Sequence, residues 1–369
     1  MKRILALIHD AGGAELFASL LRREQGFAWS ALTLAGAPAE AIFRRAGLGG
    51  LLHVCANQED CAAVVDAACI NTAQHGNSGF DAVLYNPGWG PFPQRLVERC
   101  VLGRTPCVAV LDSWSDYRER FGHPDRGWEH NLPDAVATCD DRALALAREL
   151  GLPRLARLRN HHFESLLERI AARKEQAPAQ GRDLLFLSQT TADPAMSANG
   201  HGRFVYAGAL EEQVLQDLLA QGEAVCARYG VTGLRLRLHP SETACRHLDL
   251  LRASGLPFTV EQASQADLVD SILAAKAVVG INTMALFTAF LCGRPTASIL
   301  PNPSLGRVLP LPPELLHASV AQWLRSPRET STTNAAPLGT FPDAGLAALL
   351  NHLPPARSGA DRALPRSGQ

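Results

Sequence analysis

Residues Ile4 to Ile8 form an unbroken apolar run, followed by His9-Asp10-Ala11-Gly12-Gly13 and then apolar positions spaced for a helix from Ala14 to Arg23. Strand, glycine turn and helix in that order open a βαβ unit. Ala28–Leu34 predicts a second strand and Glu40–Arg45 the next helix, with Val54 following a glycine-rich turn. Asp81–Tyr85 and Pro106–Leu111 are fully apolar strands that end in polar loops, and Ala135–Thr138 is another. Asp140–Leu150 reads as a helix stopped by Gly151. Continuous apolar strands between helices predict a parallel sheet covered on both faces.

Phe163–Lys174 is amphipathic, and 176–182 (QAPAQGR) has the composition of a linker. The alternation then restarts. Asp183–Leu187, Leu234–Leu238, Phe258–Val260, Ala277–Gly280 and Thr296–Ile299 predict strands. Between them, Glu211–Tyr229, a segment near Cys245–Ala253, Ala266–Ala274 and Thr283–Leu291 predict helices. The expected architecture is α/β, two Rossmann-like domains facing across a cleft. The first spans 1–165 and the second 180–352, with 353–369, rich in Pro, Ser, Gly and Arg, a disordered tail.

A length of 369 residues fits this division, because a single core usually stops growing before that size. With 47% hydrophobic and 19% charged residues and a formal net charge of −1, nothing marks disorder or a dedicated nucleic-acid binder. The apolar run at the N-terminus is too short for a signal peptide, and no stretch approaches the ~20 apolar residues of a membrane span. A cytoplasmic protein is expected, with at most peripheral membrane contact. The nine cysteines, among them Cys100, Cys107, Cys226 and Cys292, lack CxxC or HxxxH context and read as buried thiols. Lysine occurs only at Lys2, Lys174 and Lys276; base-composition bias explains the arginine excess as well as phosphate recognition does.

Ligands of open α/β sheets bind beyond the carboxyl ends of the strands, so the loops there are the places to look. Asp10 ends the first strand, where a general base would stand, although a helix N-cap uses the same residue type. Gly12 and Gly13 permit close backbone approach to a ligand. The sequence is not GxGxxG, so no dinucleotide fingerprint is present. Trp89, in Asn86-Pro87-Gly88-Trp89-Gly90, offers a stacking surface. Asp112 opens a dense run of acids, aromatics and arginines that includes Trp114, Asp116, Tyr117 and Arg118. A solvated loop with internal ion pairs has the same composition.

In the second half, Ser188-Gln189-Thr190-Thr191 ends a strand with hydroxyls and amides suited to phosphate. His239-Pro240 ends another, with the proline fixing the chain just after the histidine. Asn282 and Thr283 stand at a helix start, as caps or as an anion site. Glu261 and Gln262 follow a strand and are candidates for the base or ribose of a nucleotide. His161 and His162 are adjacent with no spaced third ligand, and read as domain-junction residues.

The segments FLSQ, RLHPSE and DSILAAKAVVGINTMALFTAFLCGRPTASILP together resemble the nucleotide-binding domain of GT-B-fold glycosyltransferases. Within that fold they are most similar to the bacterial surface-polysaccharide group: sialyltransferase-like, Kdo-transferase-like and CDP-glycerol-transferase-like proteins. The nonhydrolysing UDP-N-acetylglucosamine 2-epimerases share the fold and a related His-Pro segment. Leu158–Glu164 matches the end of the first domain in such enzymes in part, with Arg159 and His161 in place of a Gly and a Pro.

The resemblance implies a metal-independent glycosyltransferase without a cofactor, moving a sugar from a CMP- or UDP-linked donor to a hydroxyl acceptor. Ser188, Gln189, His239, Pro240, Glu261, Asn282 and Thr283 would hold the donor nucleotide. Gly12, Gly13, Trp89, Trp114, Tyr117 and Arg118 would face the acceptor. Asp10 or Asp112 would take the acceptor proton, and His239 would stabilise the leaving phosphate. The rivals are an epimerase or hydrolase acting on the donor alone, for which Asp112, Asp116 and Glu242 leave room, and a noncatalytic nucleotide-sugar binder.

Overall fold

The computed structural model describes residues 1–75, 79–88, 91–103, 105–114, 117–122, 127, 132–176, 181–189, 203–240, 242, 244–302, 309–327, 345–351 and 353. Expectations placed on Trp89, Gly90, Ser115, Asp116, Thr190, Thr191, Ser241 and the tail from 354 onward lie outside the described residues.

The first sheet has seven parallel strands, β1 (Arg3–Leu7), β2 (Ala28–Leu34), β3 (Leu52–Cys55), β4 (Ala82–Tyr85), β5 (Cys107–Leu111), β6 (Ala135–Thr138) and β7 (Leu155–Arg157). Their order is β3-β2-β1-β4-β5-β6-β7. Alternation decides what each face buries. Ile4, Ala6 and Ile8 enter one core with Phe17 and Phe43, while Leu5 and Leu7 enter the opposite core with Val97 and Phe121. Both faces are therefore covered, which is why the central strands are apolar at every position rather than at every second one.

The second sheet has six parallel strands, β8 (Asp183–Leu187), β9 (Gly233–Arg237), β10 (Phe258–Glu261), β11 (Ala277–Gly280), β12 (Thr296–Ile299) and β13 (Leu316–His317), in the order β10-β9-β8-β11-β12-β13. Each sheet reverses its strand order once about its first strand. That switch point lies between β1 and β4 in one sheet and between β8 and β11 in the other.

The chain divides into two compact units, Met1–Ser165 with Leu338–Gln369, and Leu166–Pro337. The helix His161–Gln176 carries the chain from one to the other. The expected second-domain span of 180–352 is corrected at its end. The helix Leu346–Asn351 puts Leu346 and Leu350 into the first unit's core beside Ile4 and Phe17. Lys2 Nζ secures it by donating to Leu350 O (3.0 Å) and Asn351 Oδ1 (2.9 Å).

The expected helix Glu211–Tyr229 is two helices, Arg203–Ala220 and Gly222–Tyr229. They break at Gln221 (φ −104°, ψ 19°), where Gly222 packs so tightly on Leu256 that a Cβ would stand 2.4 Å from its Cδ1. All nine cysteines are free thiols, and seven are buried. Among the described residues, no helix is long and apolar enough to cross a membrane.

Candidate active site

At the first switch point, the loops after β1, β4 and β5 bring together Asp10, Asn86 and Asp112. Asp10 N-caps the helix Ala11–Arg23, its Oδ1 accepting from Gly13 N at 2.8 Å. Glycines make room for the side chains. A Cβ on Gly12 would lie 2.5 Å from Asp112 Oδ2, and one on Gly88 would lie 2.5 Å from Asp10 Oδ2. Asn86 is buried and donates to Val110 O at 3.0 Å, which anchors the end of β4 to β5.

Arg120 closes this cluster from below. It comes from the short helix Tyr117–Phe121, and its side chain is only 4% exposed. Its Nη2 donates to Asp112 Oδ1 at 2.5 Å and to Asn86 Oδ1 at 3.2 Å, its Nε to Pro87 O at 2.5 Å, and its Nη1 to Ser113 Oγ.

The two carboxylates are thereby driven apart in proton affinity. Burial, and then the negative charge of Asp112, push Asp10 up to about 6 against the pull of Arg120 and the Gly13 amide. Burial also acts to raise Asp112, but the charge and hydrogen bond of Arg120, with the Asn86 amide, hold it below the ordinary range. A carboxylate that stays ionised beside one that titrates near neutrality is the arrangement that acid–base catalysis uses. His9, next to Asp10, packs its ring on Phe92 (centroids 5.0 Å apart), and burial lowers its proton affinity.

Other first-half candidates sit elsewhere. Trp114 is buried, stacks on Phe163 (centroids 5.9 Å apart) and donates to Asp140 Oδ2 at 2.7 Å. Tyr117 is buried, and its hydroxyl donates to Ser113 O at 2.7 Å. Both brace the loop from inside. Arg118 is exposed.

At the second switch point, the loops after β8, β9 and β11 converge. Ser188 Oγ lies 2.9 Å from Glu211 Oε1 and 2.6 Å from Glu242 Oε2, and its single proton serves one of them at a time. Glu211, fully buried, also accepts from Gln189 N at 2.6 Å and from Arg246 Nη2 at 2.8 Å, and lies 3.1 Å from His247 Nε2. Burial works to raise its carboxyl, but His247, Arg246 and the hydrogen bonds outweigh it, and Glu211 lies below the ordinary glutamate value. Glu242 Oε2 accepts from the His239 backbone N–H at 2.8 Å, and its other oxygen is 3.5 Å from Arg246 Nη1. Gln189 Oε1 accepts from Asn282 N at 3.1 Å, which joins the β8 loop to the β11 loop across the switch point.

Thr283 caps the eight-residue helix Met284–Leu291, its Oγ1 accepting from Ala285 N at 3.4 Å. His239 is half-buried, and burial lowers its proton affinity although Glu242 and Glu211 oppose the shift. Pro240 beside it is exposed. Ser188, Gln189, His239, Asn282 and Thr283 thus belong to one rim. Glu261 does not join it. Its carboxylate is held by Arg235 Nη1 (2.8 Å), Arg237 and Ser271 Oγ (2.5 Å) on the outer side of the sheet order, where β10 meets β9.

Five members of these clusters escaped sequence reasoning: Asn86, Arg120, Glu211, Arg246 and His247. Asn86 and Arg120 lay inside loops already marked by their position after apolar strands. Glu211 sits in a helix and Arg246 and His247 just before another, with no spacing that points to a site.

No family model matches the chain, and no curated protein matches it in sequence. Solved structures do match. The UDP-GlcNAc 2-epimerase of Methanocaldococcus jannaschii is similar with a TM-score of 0.57 at 10% identity, over 90% of this chain and 96% of that one. The Neisseria meningitidis UDP-GlcNAc 2-epimerase bound to UDP-GlcNAc gives 0.54 at 10% identity, over 80% and 82%. The S. aureus MnaA–UDP structure gives 0.53 at 11% identity, over 81% and 79%. At such identities the likeness is one of fold, and the chain has the two Rossmann-like α/β units of the GT-B proteins.

Proposed function

We propose that the protein is a nucleotide-sugar-dependent glycosyltransferase in which Asp10 takes the proton of a hydroxyl acceptor. The observation that carries this reading is the split pair at the first switch point: Asp10 held at about 6 beside an Asp112 kept ionised by Arg120. A general base works best with a proton affinity near the operating pH, and typically contributes about 10²–10⁴-fold. In the second unit, the rim of Ser188, Gln189, His239, Asn282 and Thr283 supports donor binding, with the donor phosphate toward the start of the helix Met284–Leu291. CMP- and UDP-linked sugars are the donor class, in keeping with the surface-polysaccharide resemblance of these segments.

A second reading has its own support. The solved structures of like fold include UDP-GlcNAc 2-epimerases, and two carboxylates of unlike proton affinity also suit an enzyme that removes and returns a proton on the sugar itself.

One experiment separates the readings. A thermal-shift series with CMP, CDP, UDP, GDP and TDP identifies the nucleotide, and His239→Ala should abolish its stabilising effect. The matching nucleotide-sugar is then incubated in deuterated water with and without hydroxyl acceptors. Nucleotide release that depends on acceptor supports transfer. An inverted carbon carrying solvent deuterium, with no acceptor needed, supports epimerisation. The absence of any nucleotide shift at millimolar concentration removes both.

A further inference from the structure

A third charge lies behind Asp10 and Asp112 and acts on both. Arg120 is buried, as Asn86 is, and its donors reach one point after β4 and another after β5: Asn86 Oδ1 and Pro87 O on one side, Asp112 Oδ1 and Ser113 Oγ on the other. Its own carbonyl is held in turn by Gln94 Nε2 at 2.6 Å, which ties the short helix Tyr117–Phe121 to the helix Pro91–Leu102. Such a planar fork, fixed at both ends, cannot be replaced by a neutral side chain without loosening both loops. A buried guanidinium is costly, and one that answers a single carboxylate in a cluster of two leaves the pair with one net negative charge.

The groups facing Asp10 are Asp112 from the end of β5, Arg120 behind it, Asn86 and Gly88 from the loop after β4, the Gly13 amide of its own helix, and His9 at its side. Arg120 is the cation that acts on both carboxylates.

We propose that Arg120 is the positioning residue for Asp10: from inside the unit it joins the ends of β4 and β5 and sets a countercharge beside the two carboxylates. Its purpose rests on the reading of Asp10 as the base, but its effect on the pair does not. With Arg120 present, Asp112 holds the permanent negative charge and Asp10 is left as the group that exchanges a proton. Without it, the two carboxylates share one proton and both steps move upward.

The test is an NMR titration of protein labelled with ¹³C at aspartate side chains, with the two resonances assigned through Asp10→Asn and Asp112→Asn. In Arg120→Gln the upper midpoint, at about 6 in the parent protein, should rise by about one unit or more. Arg120→Lys, which keeps the charge, should return most of that shift. A midpoint unmoved in folded Arg120→Gln, or moved equally by Arg120→Lys, overturns the proposal.

Should Arg120→Gln fail to fold, Asp112→Asn serves instead. Arg120 then faces Asp10 without its paired carboxylate, and the Asp10 midpoint should lie lower in Asp112→Asn than in Asp112→Asn/Arg120→Gln, because only the former keeps the countercharge; equal midpoints in the two folded variants overturn the proposal. No substrate is needed, so the outcome is independent of the function. Where turnover is found, the acidic limb of kcat/KM should follow the NMR midpoint from variant to variant. Moving midpoints without turnover or nucleotide binding would retain Arg120's effect on the pair and discard the transferase reading.

Discussion

At the scale of single residues, Asp10 combines a structural role, the cap on Gly13 N, with the proton-transfer role proposed for it, and pH separates them. The folded protein holds Asp10 at about 6, above the ordinary 3.8 that an unfolded chain restores. Between those values the folded state keeps a proton that the unfolded state releases. The resulting stabilisation is fully present below about 3.8 and is lost as pH rises through about 6. Asp112 runs the other way: held below the ordinary value, it contributes above 3.8 and loses that contribution as pH falls through its folded value. Asp10→Asn keeps an oxygen for the Gly13 amide but removes the ionisation. It should therefore gain stability relative to the parent protein at pH 7.5, by up to about 3 kcal/mol, and gain little at pH 4. Urea unfolding at the two pH values checks this. Activity of the same variant should fall by about 10²-fold or more.

At the scale of elements, caps and close glycine contacts set where the loops after the strands end. Asp140 caps the helix Asp141–Glu149 through Ala143 N (2.8 Å) and also accepts from the buried Trp114 Nε1. Asp140→Ala removes both, and the loss should reach about 2–4 kcal/mol, the sum of a cap and an unsatisfied buried donor. Asp140→Asn should lose less than half as much, measured by urea unfolding. Gly12→Ala should disturb the site more than the fold, because its Cβ would fall 2.5 Å from Asp112 Oδ2. The expected result is a displaced Asp112 titration with a melting temperature changed by only a few degrees. The strands were legible at this scale because apolar residues such as Ala82–Tyr85 and Cys107–Leu111 run continuously. The helix Gln58–His75 was not, because it turns inward small side chains, Cys61, Val65 and Cys69, that leave a weak apolar stripe. The two-residue strand Leu316–His317 is too short to show a period.

At the scale of the whole molecule, the chain returns to its first unit after completing the second. Leu346 and Leu350 are 0% and 5% exposed in the core that holds Ile4 and Phe17, so this late helix is part of the unit that carries Asp10. Leu350→Ala should cost about 2–5 kcal/mol. The loss should appear in the unfolding of the first unit, while the nucleotide-dependent protection proposed for the second persists. Hydrogen exchange of the two sheets with and without the stabilising nucleotide checks this, and protection lost equally from both would contradict it.

What the sequence determined by itself was local. Apolar runs bounded by polar turns imposed two parallel αβ units, and strand ends marked Asp10, Asp112, Ser188, His239 and Asn282, because burial on both faces leaves only the loops for chemistry. Only the tertiary structure decided which loops meet. Strand order placed β5 beside β4 and β11 beside β8, so Asn86 reached Arg120 and Gln189 reached Asn282 across 34 and 93 residues of chain. It also turned Trp114 and Tyr117 inward, set Glu211 against Ser188, and sent Leu346 and Leu350 home to the first core. Such pairings depend on distances through space that no periodicity encodes. The proton affinity of Asp10 belongs to the same class, since burial and the charges of Asp112 and Arg120 exist only once the sheet has assembled.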